Sequence, residues 1–295
     1  MPSLKEVRTR IASVKSTRQI TSAMKMVSAS KLRRAQNAIL NMRPYASKLH
    51  EIMHNLSHDM ETSDESKWTT DRGDNKVLIV PITSNRGLCG AFNASVVKAT
   101  RQLIEKRYSE QMSKGNVGIM CLGKKGADGL LWHYKPNEVN TEIFDDLTFN
   151  HAVVIAERLM DDFVKGKYDK IILIYNQFKN AAMQILQQEQ FLPVTRMEGE
   201  HKIEPETAQA NYIFEPSKEE ILEELVPKTI KIQLYKALLD SFAAEHGARM
   251  TAMQKATDNA DELLKDLKLT YNKARQAAIT NEILEIVGGA EALKG

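Results

Sequence analysis

The run KTIKIQLYKALLDSFAAEHGARMTAMQKATDNADELLKDLKLTYNKARQAAITNEILEIV, residues 228–287, holds no proline and one glycine, Gly247. Two seams in it alternate steps of three and four: Tyr235, Leu238, Phe242, Glu245, Arg249, Ala252 and Ala256, then Leu263, Leu267, Thr270, Ala274, Ala277 and Asn281. Such spacing puts each set on one face of a helix. Large side chains give way to Ala and Thr towards the end, which lets a second helix approach closely. At about 1.5 Å per residue the run reaches roughly 90 Å, more than a globule of this size contains. Just upstream, Pro216, Ser217 and Glu220 read as a capping box that starts a helical segment, and Pro227 is expected to interrupt it.

The partner for such a helix is at the other end of the chain. Between Ser3 and Arg43 there is no Gly or Pro, and Leu4, Val7, Ile11 and Val14 step by three and four. Leu32, Ala35, Ile39 and Met42 repeat the rhythm after what reads as a slip of phase, and Leu49, Ile52, Met53 and Leu56 carry it past Pro44, where a kink is expected. Two long terminal helices of matched period are best paired antiparallel, as a rod.

Between them the texture changes. Val77–Val80, Val117–Leu122 and Ile171–Ile174 are short apolar runs rich in β-branched residues, separated by helical stretches over Ala94–Met112 and His151–Lys165, with Met183–Leu192 a further strand candidate. Strand and helix in alternation predict a parallel sheet. The expected fold class is α/β: a long antiparallel coiled coil of the N- and C-terminal helices plus a central Rossmann-like α/β domain. The expected division is 1–58, an acidic linker over 59–74, the α/β domain over 75–210 and the C-terminal helix with its tip over 211–295.

Composition narrows the function. Gly 14 and Pro 8 in 295 residues are few, as long helices require, and no stretch of about 18 apolar residues is present to cross a membrane. The N-terminus enters a patterned helix directly, without the apolar core of a signal peptide, so either a cytosolic setting or an already mature chain is expected. Two cysteines, Cys89 and Cys121, are too few for a disulfide framework or a metal cluster and are expected to be packed and reduced. Net charge is only +3, yet residues 1–50 carry eleven Lys and Arg against the single acid Glu6, leaving a net −7 on the rest. A polyanionic or acidic partner is implied for that segment.

No catalytic constellation emerges. Gly118–Lys125 has the glycines and lysine of a phosphate loop, but Lys125 stands where a hydroxyl must ligate magnesium and the interior is an apolar strand. Ser84–Asn93 follows the first strand and is read as a turn, with partner contact as the other possibility, because it lacks the spacing of a dinucleotide loop. His50, His54 and His58 share a helix face without the further ligands a tight metal site needs. Asp145–Asp146 and Asp161–Asp162 are adjacent pairs whose side chains diverge, as on a solvated surface. The basic N-terminal stripe fits a solvated face, a protein partner or nucleic acid, though no nucleic-acid motif accompanies it.

Three blocks carry a family resemblance that runs nearly end to end: RIASVK (10–15) through ITSAMKMVSASKL (20–32), SNRGLCGAFN (84–93), and EHGARM (245–250) through RQAAITNEI (275–283) and EIVGGA (285–290). They resemble the gamma subunits of F-type ATP synthases. The resemblance implies a non-catalytic central rotor shaft without cofactor, metal or active site. It would couple transmembrane ion-driven rotation to ATP synthesis or hydrolysis in its neighbours. Implied partners are three alpha and three beta subunits around one copy of this chain, an epsilon subunit and the membrane c-ring, with no nucleic acid and no insertion into the bilayer. The implied location is the cytoplasmic face of the bacterial inner membrane. By the same resemblance Met24 and Lys25 face acidic beta-subunit loops, and Arg249, Arg275, Gln276, Thr280 and Glu282 contact beta loops. Ile283, Leu284, Ile286 and Val287 form an apolar tip turning in a bearing, and Tyr212, Phe214 and Glu215 touch the membrane ring. Asn85 departs from the acid usual in the second block, and Gly247 stands where Ala is frequent, at a cost of up to about 1 kcal/mol in an exposed helix. The paired-cysteine insert of chloroplast members is absent, so no thiol switching is expected. The alternative reading is a coiled-coil scaffold or adaptor in a membrane-associated complex.

Overall fold

A computed structural model describes residues 3–58, 67–194 and 218–292. It divides the chain into two compact units, one of residues 30–248 and one joining residues 1–29 to 249–295. Two helices, α1 (Leu4–His58) and α6 (Lys218–Ala292), each contribute to both.

The first unit is an α/β sandwich. Strands β1 (Val77–Pro81), β2 (Val117–Leu122), β3 (Glu138–Asn140), β4 (Lys170–Phe178) and β5 (Gln184–Leu192) form one sheet in the order β3-β2-β1-β4-β5. The first four run parallel, and β5 returns antiparallel on β4 through a tight turn. The sheet is therefore mixed. Helices α2 (Phe92–Arg107), the short α3 (Ser109–Ser113), α4 (Lys124–Leu130) and α5 (Phe149–Val164) supply the crossovers. β1 and β2 are buried at every position because both faces are covered. One face packs Leu78, Val80 and Leu122 against Ile155, Leu159 and Phe163 of α5 and Val226, Ile230, Leu234 and Leu238 of α6. The other packs Val77, Ile79, Ile119 and Cys121 against Val96, Ala99 and Ile104 of α2 and Leu130 of α4. The strand period of two assigns alternate residues to the two cores.

The second unit is an antiparallel helix pair. Thr21 Oγ1 meets Thr257 Oγ1 at 2.8 Å. Arg18 Nε lies 2.7 Å from Asp261 Oδ1, and Arg8 Nη2 donates to Tyr271 Oη at 3.0 Å. The α1 number falls while the α6 number rises almost in step, the signature of antiparallel pairing in one fixed register.

The expected slip of phase in α1 is absent. Positions 4, 7, 11, 14, 21, 25, 28, 32, 35, 39 and 42 are all buried or half-buried, one unbroken alternation of three and four once Arg18 is counted. The pattern was hidden because Arg18, Thr21, Lys25 and Ser28 are polar; Arg18 stays exposed but reaches Asp261. On α6 the seam runs through Met253, Thr257, Ala260, Leu264, Leu267, Tyr271, Ala274 and Ala278. The second set read from sequence is thus out by one residue at alternate positions: Leu263 is 40% exposed, and Thr270 and Ala277 face solvent, while Asn281 is in frame but exposed. Adjacent leucines at 263 and 264 made both frames fit.

Pro227 does not interrupt α6, and α1 likewise continues through Pro44. A helical proline loses one hydrogen bond and strains the preceding turn. Around Pro227 the buried Val226 and Ile230 anchor the helix to the sheet and outweigh that loss. The capping serine at 217 lies outside the described residues.

Candidate functional site

The loop after β1 is a closed turn. Ser84 N–H donates to Asn93 Oδ1 at 2.9 Å, Ser84 Oγ donates to the Arg86 carbonyl at 2.6 Å, and Asn93 Nδ2 donates to Ser84 Oγ at 2.8 Å. Asn85 has a definite task. Its Nδ2 donates to the Thr141 carbonyl at 2.7 Å while its Oδ1 accepts from Lys124 N–H at 3.1 Å, a pair of bonds that a carboxylate could not make. The phosphate-loop lookalike is strand β2 followed by Gly123, whose φ of +108 and close approach to the Thr83 carbonyl, 2.2 Å from where a Cβ would stand, require glycine. Its residues are thus committed to the sheet.

Titratable groups in the α/β unit are structural. Burial pushes the Cys121 thiol up to about 12. Cys89 is also buried. Burial, with Glu189 beside it, raises the Tyr175 phenol well above the tyrosine range; its hydroxyl donates to Glu189 Oε2 at 2.7 Å, and Gln233 Nε2 of α6 donates to Oε1 at 2.7 Å. Asp161 and Asp162 make surface ion pairs with Lys165 and Lys167, and Asp146 lies beside His151. Among the described residues no cluster of three or more His, Cys, Asp or Glu is placed to hold a metal. His50, His54 and His58 lie on α1, with side chains outside the described set.

The partner-contact candidates fall at two levels of the helix pair. Met24 and Lys25 are half-buried, Lys25 in the seam and Met24 beside it, and Ser28 Oγ donates to the Met24 carbonyl at 2.8 Å. Beside them Ile20, Met26 and Val27 are exposed apolar residues that the sequence reading passed over, although Ile20 and Val27 share the i, i+7 spacing of one face. Further along α1, Lys31, Arg33 and Arg34 are exposed.

The other level is the end of α6. Because Arg8 meets Tyr271, residues 277–292 extend past the first described residue of α1, about 24 Å of helix. Arg275, Gln276, Thr280 and Glu282 lie at the root of this overhang, all exposed, with Thr280 Oγ1 donating to the Gln276 carbonyl at 2.9 Å. Ile283, Leu284, Ile286 and Val287 follow at 53 to 71% exposure. Ile279, exposed and one turn earlier, begins the same stripe at i, i+4 and i+7, a signal present in the sequence but not taken up. A polar collar followed by an uncovered apolar stripe marks an interaction site. Arg249 differs from the rest of its set: it is only 7% exposed. Tyr212, Phe214 and Glu215 lie outside the described residues. No helix among the described residues is long and apolar enough to cross a membrane.

Comparisons agree over the whole length. A family model described as ATP synthase matches residues 3–293. The chain is 57% identical to the ATP synthase gamma chain of Christiangramia forsetii and 58% identical to that of Flavobacterium johnsoniae, in each case over 100% of both chains. Among solved structures it resembles a chain from the central stalk and c-ring of Tetrahymena thermophila mitochondrial ATP synthase. There the TM-score is 0.56 at 29% identity, covering 80% of this chain and 99% of that one. Matched end to end by a family model and by relatives more than half identical, the chain belongs to the ATP synthase family, in its gamma-chain branch.

Proposed function

We propose that this chain is the central rotor shaft of an F-type ATP synthase, a subunit without an active site of its own. It couples ion-driven rotation to ATP synthesis or hydrolysis at sites in surrounding alpha and beta subunits. The observation that carries this reading is the end of α6: a helix bared beyond its partner, with a polar collar at Arg275–Glu282 and an apolar stripe from Ile279 to Val287. Apolar contact is non-directional, so a tip of this kind can be gripped and still turn. The helix pair is asymmetric in sequence and charge, and three equivalent neighbours around one such body cannot all meet the same face.

The gamma-chain relatives and the central-stalk resemblance support the partners: three alpha and three beta subunits, an epsilon subunit and the membrane c-ring. In this reading Met24 and Lys25, Arg275, Gln276, Thr280 and Glu282 meet beta loops. Arg249 acts mainly through what it holds inside its own chain, since little of it is exposed. Tyr212, Phe214 and Glu215 meet the ring. The complex sits on the cytoplasmic face of a bacterial inner membrane, with this chain peripheral to it. The end-to-end match to gamma chains favours the shaft over a scaffold that does not turn.

Reconstitution with the alpha and beta subunits tests the reading. One copy per hexameric head by native mass is expected, with steady ATP hydrolysis by the head reduced when the chain is truncated before Arg275. Failure to assemble under conditions where the head itself forms would remove the shaft reading.

A further inference from the structure

Phe, Tyr and Trp are scarce along the helix pair. Past Phe242 the chain holds one of them, Tyr271, and before Tyr45 it holds none. The α6 seam is aliphatic at Leu264 and Leu267, then falls to Ala274 and Ala278, both half-buried. On α1 it ends at Val7, buried, and Leu4, half-buried. Burying an alanine removes little apolar area from water, so the last turns of the pair have a weak hold on each other. Tyr271 stands where that hold begins to fail.

Its ring is engaged twice by one partner. Arg8 Nη2 donates to the Tyr271 hydroxyl at 3.0 Å, and the Arg8 guanidinium carbon lies 5.8 Å from the centre of the same ring. The first contact is directional, and the second holds a cation against the ring face. Arg8 is thus committed to its own chain, although it belongs to the basic stretch for which a partner is implied. The hydrogen bond from Arg8, its charge and, more weakly, the charge of Arg275 hold the Tyr271 phenol below the usual tyrosine value. Arg275 lies four residues on, one turn along the same face, so the first residue of the collar is the neighbour of the clasped ring.

An exposed pair of this kind adds little to the stability of the fold, because water competes for both groups. Its effect is on position. Below it, among the described residues, the next cross-helix ion pair is Arg18 with Asp261, about 15 Å of helix away. Leu264 and Leu267 lie between, and their apolar contacts resist separation without fixing direction. A helix freed at 271 therefore bends from lower down, and the collar moves with it.

We propose that Arg8 and Tyr271 form a clasp that sets where the free end of α6 begins and which way it points, which makes them positioning residues for the collar at Arg275–Glu282. The proposal rests on the rotor reading above. Neither residue needs to touch a partner: both act by fixing the direction in which Arg275, Gln276, Thr280 and Glu282 leave the pair.

The test uses the complex of this chain with alpha and beta subunits. Steady ATP hydrolysis is measured on unlabelled variants. On labelled ones, pulsed electron resonance gives the width of the distance distribution between nitroxides at Ser13→Cys and Ala277→Cys. Both positions are exposed and neither is a collar contact, and the native Cys89 and Cys121 are buried. Arg8→Gln is expected to widen the distribution about twofold and to lower the maximal rate about two- to fivefold, the range of a coupling between exposed groups. The KM for ATP is expected to stay as in wild type, because the nucleotide sites lie in the partners. Tyr271→Phe keeps the ring, loses the hydroxyl and is expected to fall between. Exchanging the pair, Arg8→Tyr with Tyr271→Arg, is expected to bring both readouts back at least halfway, which a general loss of helix stability would not do. An Arg8→Gln complex of wild-type width would overturn the proposal. So would a widened complex that hydrolyses at the wild-type rate, or an exchanged pair no better than the poorer single variant. If Arg8→Gln does not enter the complex, Arg8→Lys, which keeps the charge and loses the fork, takes its place. A wild-type chain that enters the head without changing its hydrolysis would instead count against the rotor reading, whatever the widths show.

Discussion

Glycine inside a helix gives up about 1 kcal/mol relative to alanine, and Gly247 gives it up for contact. It is buried, and alanine there would ask Ala181 in the β4–β5 turn to move by a few tenths of an ångström. The two effects nearly cancel, so Gly247→Ala is expected to stay within about 1 kcal/mol of wild type in urea unfolding. Gly247→Val adds two methyl groups beyond alanine to a site already in contact with Phe178 and Ala181, and is expected to cost about 1–3 kcal/mol, the usual range for overfilling a packed site. Tyr175 makes a different residue-scale prediction. Its folded-state ionisation is raised by burial and by the Glu189 carboxylate, whereas the unfolded chain ionises near pH 10. The stability it contributes is fully present below about pH 10 and is lost as pH rises beyond it. Tyr175→Phe is expected to lower stability at pH 7 by about 1 kcal/mol, because Glu189 keeps only Gln233 as donor, and to lose less than wild type between pH 9 and 11. Equal losses across that interval in both proteins would show that Tyr175 does not set the alkaline limit.

At the scale of the element, the helix pair shows how polar seam positions obscure a repeat. Val7, Leu32 and Ala35 are legible as core from spacing, whereas Thr21 and Ser28 are also buried and a count of apolar residues leaves them out. Their hydroxyls are satisfied locally: Thr21 donates to the Arg18 carbonyl, Thr257 to the Met253 carbonyl and Ser28 to the Met24 carbonyl. Backbone acceptors one turn back make a hydroxyl tolerable in a seam, and a reading by hydrophobicity cannot see them. Between Thr21 and Thr257 two protons serve three short contacts, so one contact always lacks a donor. Replacing both threonines by valine keeps the shape and removes the shortfall, and is expected to raise the melting temperature. Thr21→Ala is expected to lower it. A double variant less stable than either single would show that the hydroxyl pair is net stabilising. The strands divide in the same way: β1, β2 and β4 are apolar runs buried on both faces and were readable, while β3 is a three-residue edge strand with nothing to announce it. The antiparallel sense of β5 comes from the tight turn at Ala181 and from pairing along Ile171–Phe178, which no local pattern in QILQQEQFL encodes. Among the site candidates, the exposure of Ile283, Leu284, Ile286 and Val287 is legible because apolar residues at helical spacing beyond the seam have nothing of their own to cover. The burial of Arg249 is not, since burial of a charged side chain depends on its surroundings rather than its neighbours in sequence.

For the whole molecule the distribution of charge matters more than its total. The first 50 residues carry a net +10 and the remainder −7, and Arg10, Lys15, Lys31, Arg33 and Arg34 are all exposed. Long-range attraction between such a stretch and acidic loops acts while the partners are still apart, so it sets the rate of association and is screened by salt. In the proposed assembly the exposed stripe Ile279, Ile283, Ile286 acts only once contact is made and is expected to set how long the complex lasts. The two contributions are therefore separable. Association of the chain with an alpha–beta head is expected to slow at least tenfold between 50 and 500 mM salt, the order of effect steering produces. Lys31→Gln, Arg33→Gln and Arg34→Gln combined are expected to flatten that dependence while leaving dissociation nearly unchanged. Ile283→Gln with Ile286→Gln is expected to do the reverse, speeding dissociation at every salt concentration with the slope of association intact. Stopped-flow association and chase-dissociation of labelled chain measure both quantities. If the triple variant kept the wild-type salt slope, the basic stretch would face solvent in the assembly, and the asymmetry of charge would have to be explained by a partner other than the acidic loops of the beta subunits.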